Sequence, residues 1–235
     1  MDDNISVPTR MWDGRSREWA AGSSSAHFLL SHVVDFLRWV LSPAEVTKVC
    51  AISQQKVLGY TLDLYDAFLT FDNRAKFRVK GGWIKRVDRL VEFTLSFSGS
   101  EGTLDYTKLP GFGQVEGWRA NVSDRVTPEE LLAHQERLRK QGSNVRALLH
   151  RPGTSSPWMK DSGTLKKGLE AFAAPSNWWR LARSFVDAVL EDTLTPSSWT
   201  EYGPLPTGID GLRQTQVVCA IVESAETGRV VDCAL

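Results

Sequence analysis

The segment Ser25–Leu41, SAHFLLSHVVDFLRWVL, is the stretch that decides the fold. Its apolar residues recur at spacings of three and four, which predicts a helix. Phe28, His32, Asp35 and Trp39 fall on or near one stripe, and apolar residues cover the other sides. We therefore expect a mostly buried helix, in which His32 is either a core residue with satisfied hydrogen bonds or the polar point of a pocket.

Composition sets bounds on the class of protein. Of 235 residues, 42% are hydrophobic and 24% charged, which is typical of a soluble globular protein. Lys+Arg and Asp+Glu both number 28, and this balance argues against a nucleic-acid or anionic-membrane partner. No apolar run reaches the roughly 18 residues of a membrane span, and the polar N-terminus is not a secretory signal. Three widely spaced cysteines favour free thiols and no zinc site, so we expect a cytoplasmic location.

A series of strand patterns follows the helix. Strands are predicted near 45–53, 65–71, 76–84 and 91–98, with a glycine turn at 99–102 leading into 103–108. The links are too short for repeated helical crossovers, so the sheet should be mostly antiparallel. With helices before and after it, the pattern predicts an α+β fold, an open, mixed sheet with helices packed on one face. The other face needs water or a partner, and we expect a homodimer through it.

The second half of the chain alternates loops and helices. The glycine-rich stretch 110–123 lacks a phosphate-binding pattern, and we predict a loop there that carries Trp118. Further predictions are listed in chain order: a helix from Thr127 to about Gln141, an irregular connection over 142–164, a helix from Ser176 to about Asp192, and a last helix over about 209–227. We expect one domain over 1–235 with an irregular insertion around 110–165.

Several segments resemble the Gfo/Idh/MocA group of NAD(P)-dependent oxidoreductases. SHVVDFLRW resembles a family helix that reads roughly His-x-x-Asp-x-x-x-Trp, with His32, Asp35 and Trp39 on the matching positions. Phe28 stands where the family has Asp, and Leu30 stands at the glycine place. The family's C-terminal sheet is resembled by two later segments, LYDAFLTFDNRAKFRVKGGWI and EFTLSFSGSEGTLDY. Its closing helix is resembled by GIDGLRQTQVVCAIVESAETGRVV. The matches cover most of 5–110 and 205–232.

The resemblance covers only the C-terminal half of the family. That half implies an open mixed sheet which supplies the substrate pocket and usually the dimer interface. The sequence contains no glycine fingerprint after an early strand, and no acidic residue about 20 residues later to bind a ribose. Hydride transfer needs a nicotinamide held against the substrate, so we do not expect a self-sufficient dehydrogenase, and we expect no cofactor.

Two functions of different class remain open. The first is a cofactor-free pocket enzyme, a lyase, isomerase or cyclase acting on a hydrophobic small molecule. His32 would be its general base or hydrogen-bond donor, oriented by Asp35 or a backbone carbonyl. The residues predicted to line its pocket are Trp12, His27, Phe28, Trp83 and Trp118. The second is a substrate-binding or dimerisation subunit of a split oxidoreductase, which works with a separate nucleotide-binding subunit.

Overall fold

A computed structural model describes most of the chain. The described residues are 1–86, 90–108, 117–123, 125–140, 143–150, 166–172, 186, 189–190, 199–200, 203–204 and 206–233. The chain divides into two compact units. The first unit comprises Met1–Glu92 and Arg180–Leu235, and the second comprises Phe93–Trp179.

The helices predicted over 25–41, 127–141 and 209–227 are confirmed, and two short helices precede them. They are α1 (Ser6–Arg10), α2 (Ser16–Ala21), a π-helical turn (Ala26–Leu30) that leads into α3 (Ser31–Leu41), α4 (Pro128–Lys140) and α5 (Gly208–Thr227). Thr207 caps α5, because its side chain accepts the Asp210 N–H while the Asp210 carboxylate accepts the Thr207 N–H. Gly228 ends α5 in the left-handed region, at φ 67°. Most of the helix predicted from Ser176 lies outside the described residues.

The described strands are numbered in chain order. They are β1 (Asp2–Asn4), β2 (Val46–Gln54), β3 (Leu64–Phe71), β4 (Lys76–Lys85), β5 (Val91–Gly99), β6 (Gly102–Lys108), β7 (Gly117–Val122), β8 (Val145–His150), β9 (Lys166–Phe172), β10 (Trp199–Thr200), β11 (Gly203–Pro204) and β12 (Val231–Asp232). Strands β2 to β6 lie within two residues of their predicted bounds, and apolar and polar residues alternate most clearly in β5. Strands β10 and β11 form a short antiparallel pair.

The sheet of the first unit confirms the predicted α+β class. Its strand order is β12-β2-β3-β4-β1-β5, and only β1 and β4 run parallel. Buried side chains such as Val49 and Leu69 lie on one face, beneath α3, the π-helical turn and α5. The Ser224 hydroxyl on α5 accepts the Ala51 N–H of β2 at 2.9 Å. The sheet is therefore open and mixed, and the helices cover one of its faces.

The second unit is an antiparallel sheet with one helix. Its order is β5-β6-β7-β9-β8, and α4 packs on it through a core of Leu131, Val145 and Leu169. Two predictions are wrong here, since β7 lies in the predicted loop over 110–123 and β8 in the predicted irregular connection. Strand β7 pairs with both β6 and β9, and β8 pairs with β9, more than 15 residues distant from either strand, so part of this pairing is not revealed by local patterns.

No helix in the described part of the chain is long and apolar enough to cross a membrane.

Candidate functional site

Five side chains of the first unit form an aromatic cluster. Its members are Trp12, Trp19, Phe28, His32 and Trp83. Ring centroids are 5.8 Å apart for Trp12 and Trp19, 4.9 Å for Trp19 and Phe28, and 6.5 Å for Phe28 and His32, all edge to face. This geometry is the favourable one for aromatic pairs. The chain of contacts thus leads from the buried Trp83 to two exposed members, Trp12 and His32.

Strand β4 provides the base of the aromatic cluster. Trp83 is fully buried near the end of β4, packed with Leu29 and Ala20. Two residues earlier, a Cβ on Gly81 would lie 2.9 Å from Leu30 Cδ2. A side chain at this position would displace the π-helical turn, so glycine allows the turn that carries Phe28 to approach the strand closely.

A left-handed turn presents Trp12. Trp12, Asp13 and Gly14 have φ angles of 52°, 57° and 85°. A bulky residue rarely adopts such a φ, and strained backbone of this kind concentrates at binding sites. The Arg15 Nε–H donates to the Trp12 carbonyl at 3.1 Å and fixes the turn. The turn places the Trp12 ring against Trp19 with 53% of its surface exposed.

His32 lies on the solvent-facing side of α3. The helix is amphipathic, with Val33, Val34 and Leu37 buried and both His32 and Asp35 exposed. The expectation of a mostly buried helix is therefore wrong, and so is the alternative in which His32 is a core residue, because the stripe shared by His32 and Asp35 is the outer one. The other alternative, His32 as the polar point of a pocket, stays a prediction. His32 makes no hydrogen bond with any described residue, Asp35 included, so its ring nitrogens face solvent.

His27 belongs to a different set of contacts. The His27 Nδ1 lies 2.8 Å from the Ser24 hydroxyl oxygen, and the His27 backbone N–H donates to the same oxygen at 3.3 Å. Ser24 is buried and also interacts with the buried Tyr65 hydroxyl, whose pKa is raised by burial. These contacts orient His27 at the start of the π-helical turn. They do not bring it into the aromatic cluster.

Asp3 is a residue of the site that the sequence did not indicate. It lies on β1, is buried, and burial raises the pKa of its carboxyl to about 6. The indole N–H of Trp83 lowers the pKa of Asp3 and so opposes the effect of burial. Among the described residues, neither Trp83 Nε1 nor Asp3 Oδ2 has a hydrogen-bond partner of normal geometry. A buried acid therefore lies against the base of the aromatic cluster. A three-residue strand in a polar N-terminus carries no periodic signal that could have revealed it.

Trp118 is located in the second unit. It lies on β7 and packs against the core of Leu131, Val145 and Leu169. Its described contacts are those of a partly buried structural residue of that unit.

The described residues contain no metal-binding cluster and no nucleotide-binding βαβ unit. No group of three or more His, Cys, Asp or Glu side chains in that part of the chain could hold a metal ion. The only parallel strand pair there is β1 with β4, which are separated in sequence by helices and two strands and do not form a βαβ unit. Within the described ranges, no glycine turn joins a parallel strand to a helix, the feature that the pyrophosphate of a dinucleotide needs.

Sequence comparisons found no relative. No family model matches the chain, and no curated protein matches it.

Solved structures resemble the chain in fold. An NAD-binding oxidoreductase from Klebsiella pneumoniae has a TM-score of 0.62 at 15% identity, covering 100% of this chain and 58% of that one. An aldose-aldose oxidoreductase from Caulobacter crescentus, complexed with glycerol, has a TM-score of 0.58 at 15% identity, covering 98% and 53%. An oxidoreductase from Agrobacterium radiobacter, in complex with NAD+, L-tartaric acid and magnesium, has a TM-score of 0.55 at 16% identity, covering 99% and 55%.

The shared fold is that of one part of these enzymes. The chain spans about half the length of the structures that it matches. They are oxidoreductases of the Gfo/Idh/MocA type, which agrees with the resemblance drawn from SHVVDFLRW and the later segments.

Proposed function

We propose that this chain is the substrate-binding and assembly half of an oxidoreductase, and that its nicotinamide is held by a separate nucleotide-binding domain or subunit. The observation that carries the proposal is the position of His32, an exposed histidine with unengaged ring nitrogens on top of the aromatic cluster. An open surface of this kind suits a site completed by a second body that brings the cofactor to the substrate.

Within this site, His32 is the proton carrier. Oxidation of an alcohol needs a base for the hydroxyl proton, and a histidine is suited to this task near neutral pH. The Phe28 ring beside His32 provides an apolar face for the C–H groups of a substrate, and Trp12 extends the aromatic cluster through its contact with Trp19. The solved relatives are named for aldose and nucleotide-sugar chemistry or bind small hydroxylated molecules, which supports a sugar or polyol as the substrate here.

The cofactor-free lyase, isomerase or cyclase is the less well supported hypothesis. It requires a closed, dry cavity around His32 from which water is excluded. The exposure of His32 does not favour such a cavity, and the solved relatives are oxidoreductases. We therefore favour the partner-dependent oxidoreductase half over the cofactor-free enzyme.

Two titrations test the proposal. The full chain is titrated with NADH and followed by NADH fluorescence, and separately with xylitol and glucose, followed by the indole N–H signals in a ¹H–¹⁵N NMR spectrum. We expect no saturable NADH binding at micromolar concentrations. We expect saturable shifts of a subset of indole signals with at least one polyol.

Variants assign the polyol shifts to the site. His32→Ala should abolish or strongly weaken them, while His134→Ala, which removes an exposed histidine from α4, should leave them unchanged. Because both histidines are exposed, neither change should lower the melting temperature appreciably. Micromolar NADH binding by the chain alone, or polyol shifts that persist in His32→Ala, would contradict the proposal.

A further inference from the structure

A cleft lies where β1 passes into α1 in the first unit. It has a volume of about 320 Å³, within the range of small-ligand pockets. The cleft is lined by Asn4, Ile5, Ser6, Thr9, Arg10 and Arg86. Two guanidinium groups and two hydroxyls thus surround one space. None of these six residues belongs to the aromatic cluster.

The backbone around the cleft is fixed on both sides. The Asn4 N–H donates to the Leu90 carbonyl at 2.8 Å, and the Ile5 N–H donates to the Lys85 carbonyl at 2.7 Å. Within the cleft, the Asn4 side chain accepts the Ser6 N–H at 2.9 Å and the Thr9 hydroxyl donates to the Ile5 carbonyl at 2.6 Å. The wall is therefore rigid, and the two arginines extend from it.

The arginine charges are not neutralised within the part of the chain that the structure describes. Neither Arg10 nor Arg86 forms an ion pair with a described residue, and both are exposed. The nearby carboxylates of Asp2 and Glu92 are instead paired with Lys85, which lies 3.3 Å from Asp2 and contacts Glu92 directly. Asp2 and Glu92 thus have a cation of their own, and among the described residues no carboxylate is paired with Arg10 or Arg86.

We propose that this cleft binds the oxyanion of a small phosphorylated or carboxylated molecule, with Arg10 and Arg86 as the charged ligands. Arginine forms paired N–H···O bonds with phosphate and carboxylate oxygens, and two guanidinium groups can hold one oxyanion from two sides. The Ser6 hydroxyl provides a further donor. The proposal depends on the cleft alone and goes beyond the function assigned to the aromatic cluster.

Isothermal titration of the full chain tests this site with two probes. Inorganic phosphate and succinate are titrated separately at low ionic strength, so the two arms distinguish a phosphate site from a carboxylate site. At least one of them should bind saturably with one equivalent per chain. Raising the salt concentration should weaken the binding, because exposed charges are screened.

Substitutions then locate the binding. Arg10→Gln and Arg86→Gln should each weaken it about ten-fold, the loss expected for one charge-assisted contact. Arg229→Gln removes an exposed arginine of the same unit that does not line the cleft, and should leave the affinity unchanged. Thermal melting of each variant confirms that it is folded.

Two results would overturn the proposal. One is the absence of saturable binding for both probes, and the other is an equal loss in Arg229→Gln. The second would show attraction to overall positive charge and not a site. His32→Ala should retain the anion affinity. The absence of anion binding at the cleft can therefore be distinguished from the absence of polyol binding at the aromatic cluster.

Discussion

At the scale of single residues, Asp3 is the most perturbed acid described. Burial raises the pKa of its carboxyl from 3.8 to about 6, while an unfolded chain would keep the lower value. The folded state therefore binds more protons than the unfolded state between these two values, so the free energy of unfolding falls as pH rises through this window. The penalty is absent below about pH 4 and complete above about pH 6.

Replacing Asp3 by Asn removes this penalty. We expect Asp3→Asn to raise the free energy of unfolding at pH 7.5 by about 2 kcal/mol and to flatten its rise between pH 6 and 4. Urea unfolding at pH 4.5, 6 and 7.5 measures both effects. Asp13→Asn is the matched control, because this exposed residue sits at φ 57°, where Asn is equally tolerated. A destabilised Asp3→Asn protein at pH 7.5 would show that the carboxylate has a partner that offsets its burial.

At the scale of elements, Arg38 ties α3 to α5. Its Nε and Nη2 donate to the two oxygens of Glu45 at 2.8 Å each, and its Nη1 donates to the Asp210 carbonyl at 3.0 Å. Arg213 of α5 bonds the same Glu45 carboxylate at 2.5 Å. The Arg38 side chain is 6% exposed and that of Glu45 is 12% exposed, so this network is largely shielded from water.

Breaking the network from one side should be costly. We expect Arg38→Met to lower the free energy of unfolding by about 3 kcal/mol, since it leaves the shielded Glu45 with only Arg213. The Arg38 hydrogen bonds keep the pKa of Glu45 low, so the contribution of this pair should be lost as pH falls below the ordinary glutamate range. Chemical denaturation at pH 7 and pH 3.5 checks both statements. Arg125→Met, which breaks the pair with Glu101 in which the two side chains are 83% and 53% exposed, is the comparison and should leave stability nearly unchanged.

The sequence could predict the elements whose own residues carry a regular apolar pattern. Alternation of apolar and polar residues predicted β5, and apolar residues spaced three and four apart predicted α3. In both elements most apolar residues lie on one face and most polar residues on the solvent-facing side. Strand β8 escaped prediction because its pairing with β9 is not local. Strand β7 does alternate, since Arg119 and Asn121 separate Trp118, Ala120 and Val122, but the pattern follows directly on a glycine-rich stretch that predicts a loop. At the site, helical spacing correctly aligned Phe28 with His32 but could not decide which stripe of α3 faces the sheet.

At the scale of the whole molecule, one face of the first unit's sheet is covered by no described helix and exposes apolar side chains. Ile52 and Phe68 on this face are 67% and 58% exposed, and Cys50 lies directly opposite Phe68 on the neighbouring strand. Arg78 and Asp66 form an ion pair beside them, with an Arg78–Asp66 distance of 2.5 Å. Apolar side chains bordered by charges in this way are typical of protein–protein interfaces. The homodimer expected from sequence stays a prediction, with this face as the proposed contact.

A charge introduced on this face should separate the proposed dimer. We expect the unaltered chain to sediment as a dimer at micromolar concentration and Phe68→Glu to sediment as a monomer, because burying an unpaired carboxylate in an apolar interface costs several kcal/mol. The side chain is exposed within one chain, so the fold itself should persist, with an unchanged far-ultraviolet circular dichroism spectrum. Leu132→Glu is the matched control, because Leu132 is an exposed leucine on α4 of the second unit, and it should remain dimeric. Sedimentation velocity distinguishes the outcomes: a monomeric parent protein, or a Phe68→Glu variant that stays dimeric, would show that the open sheet face is not where two copies meet.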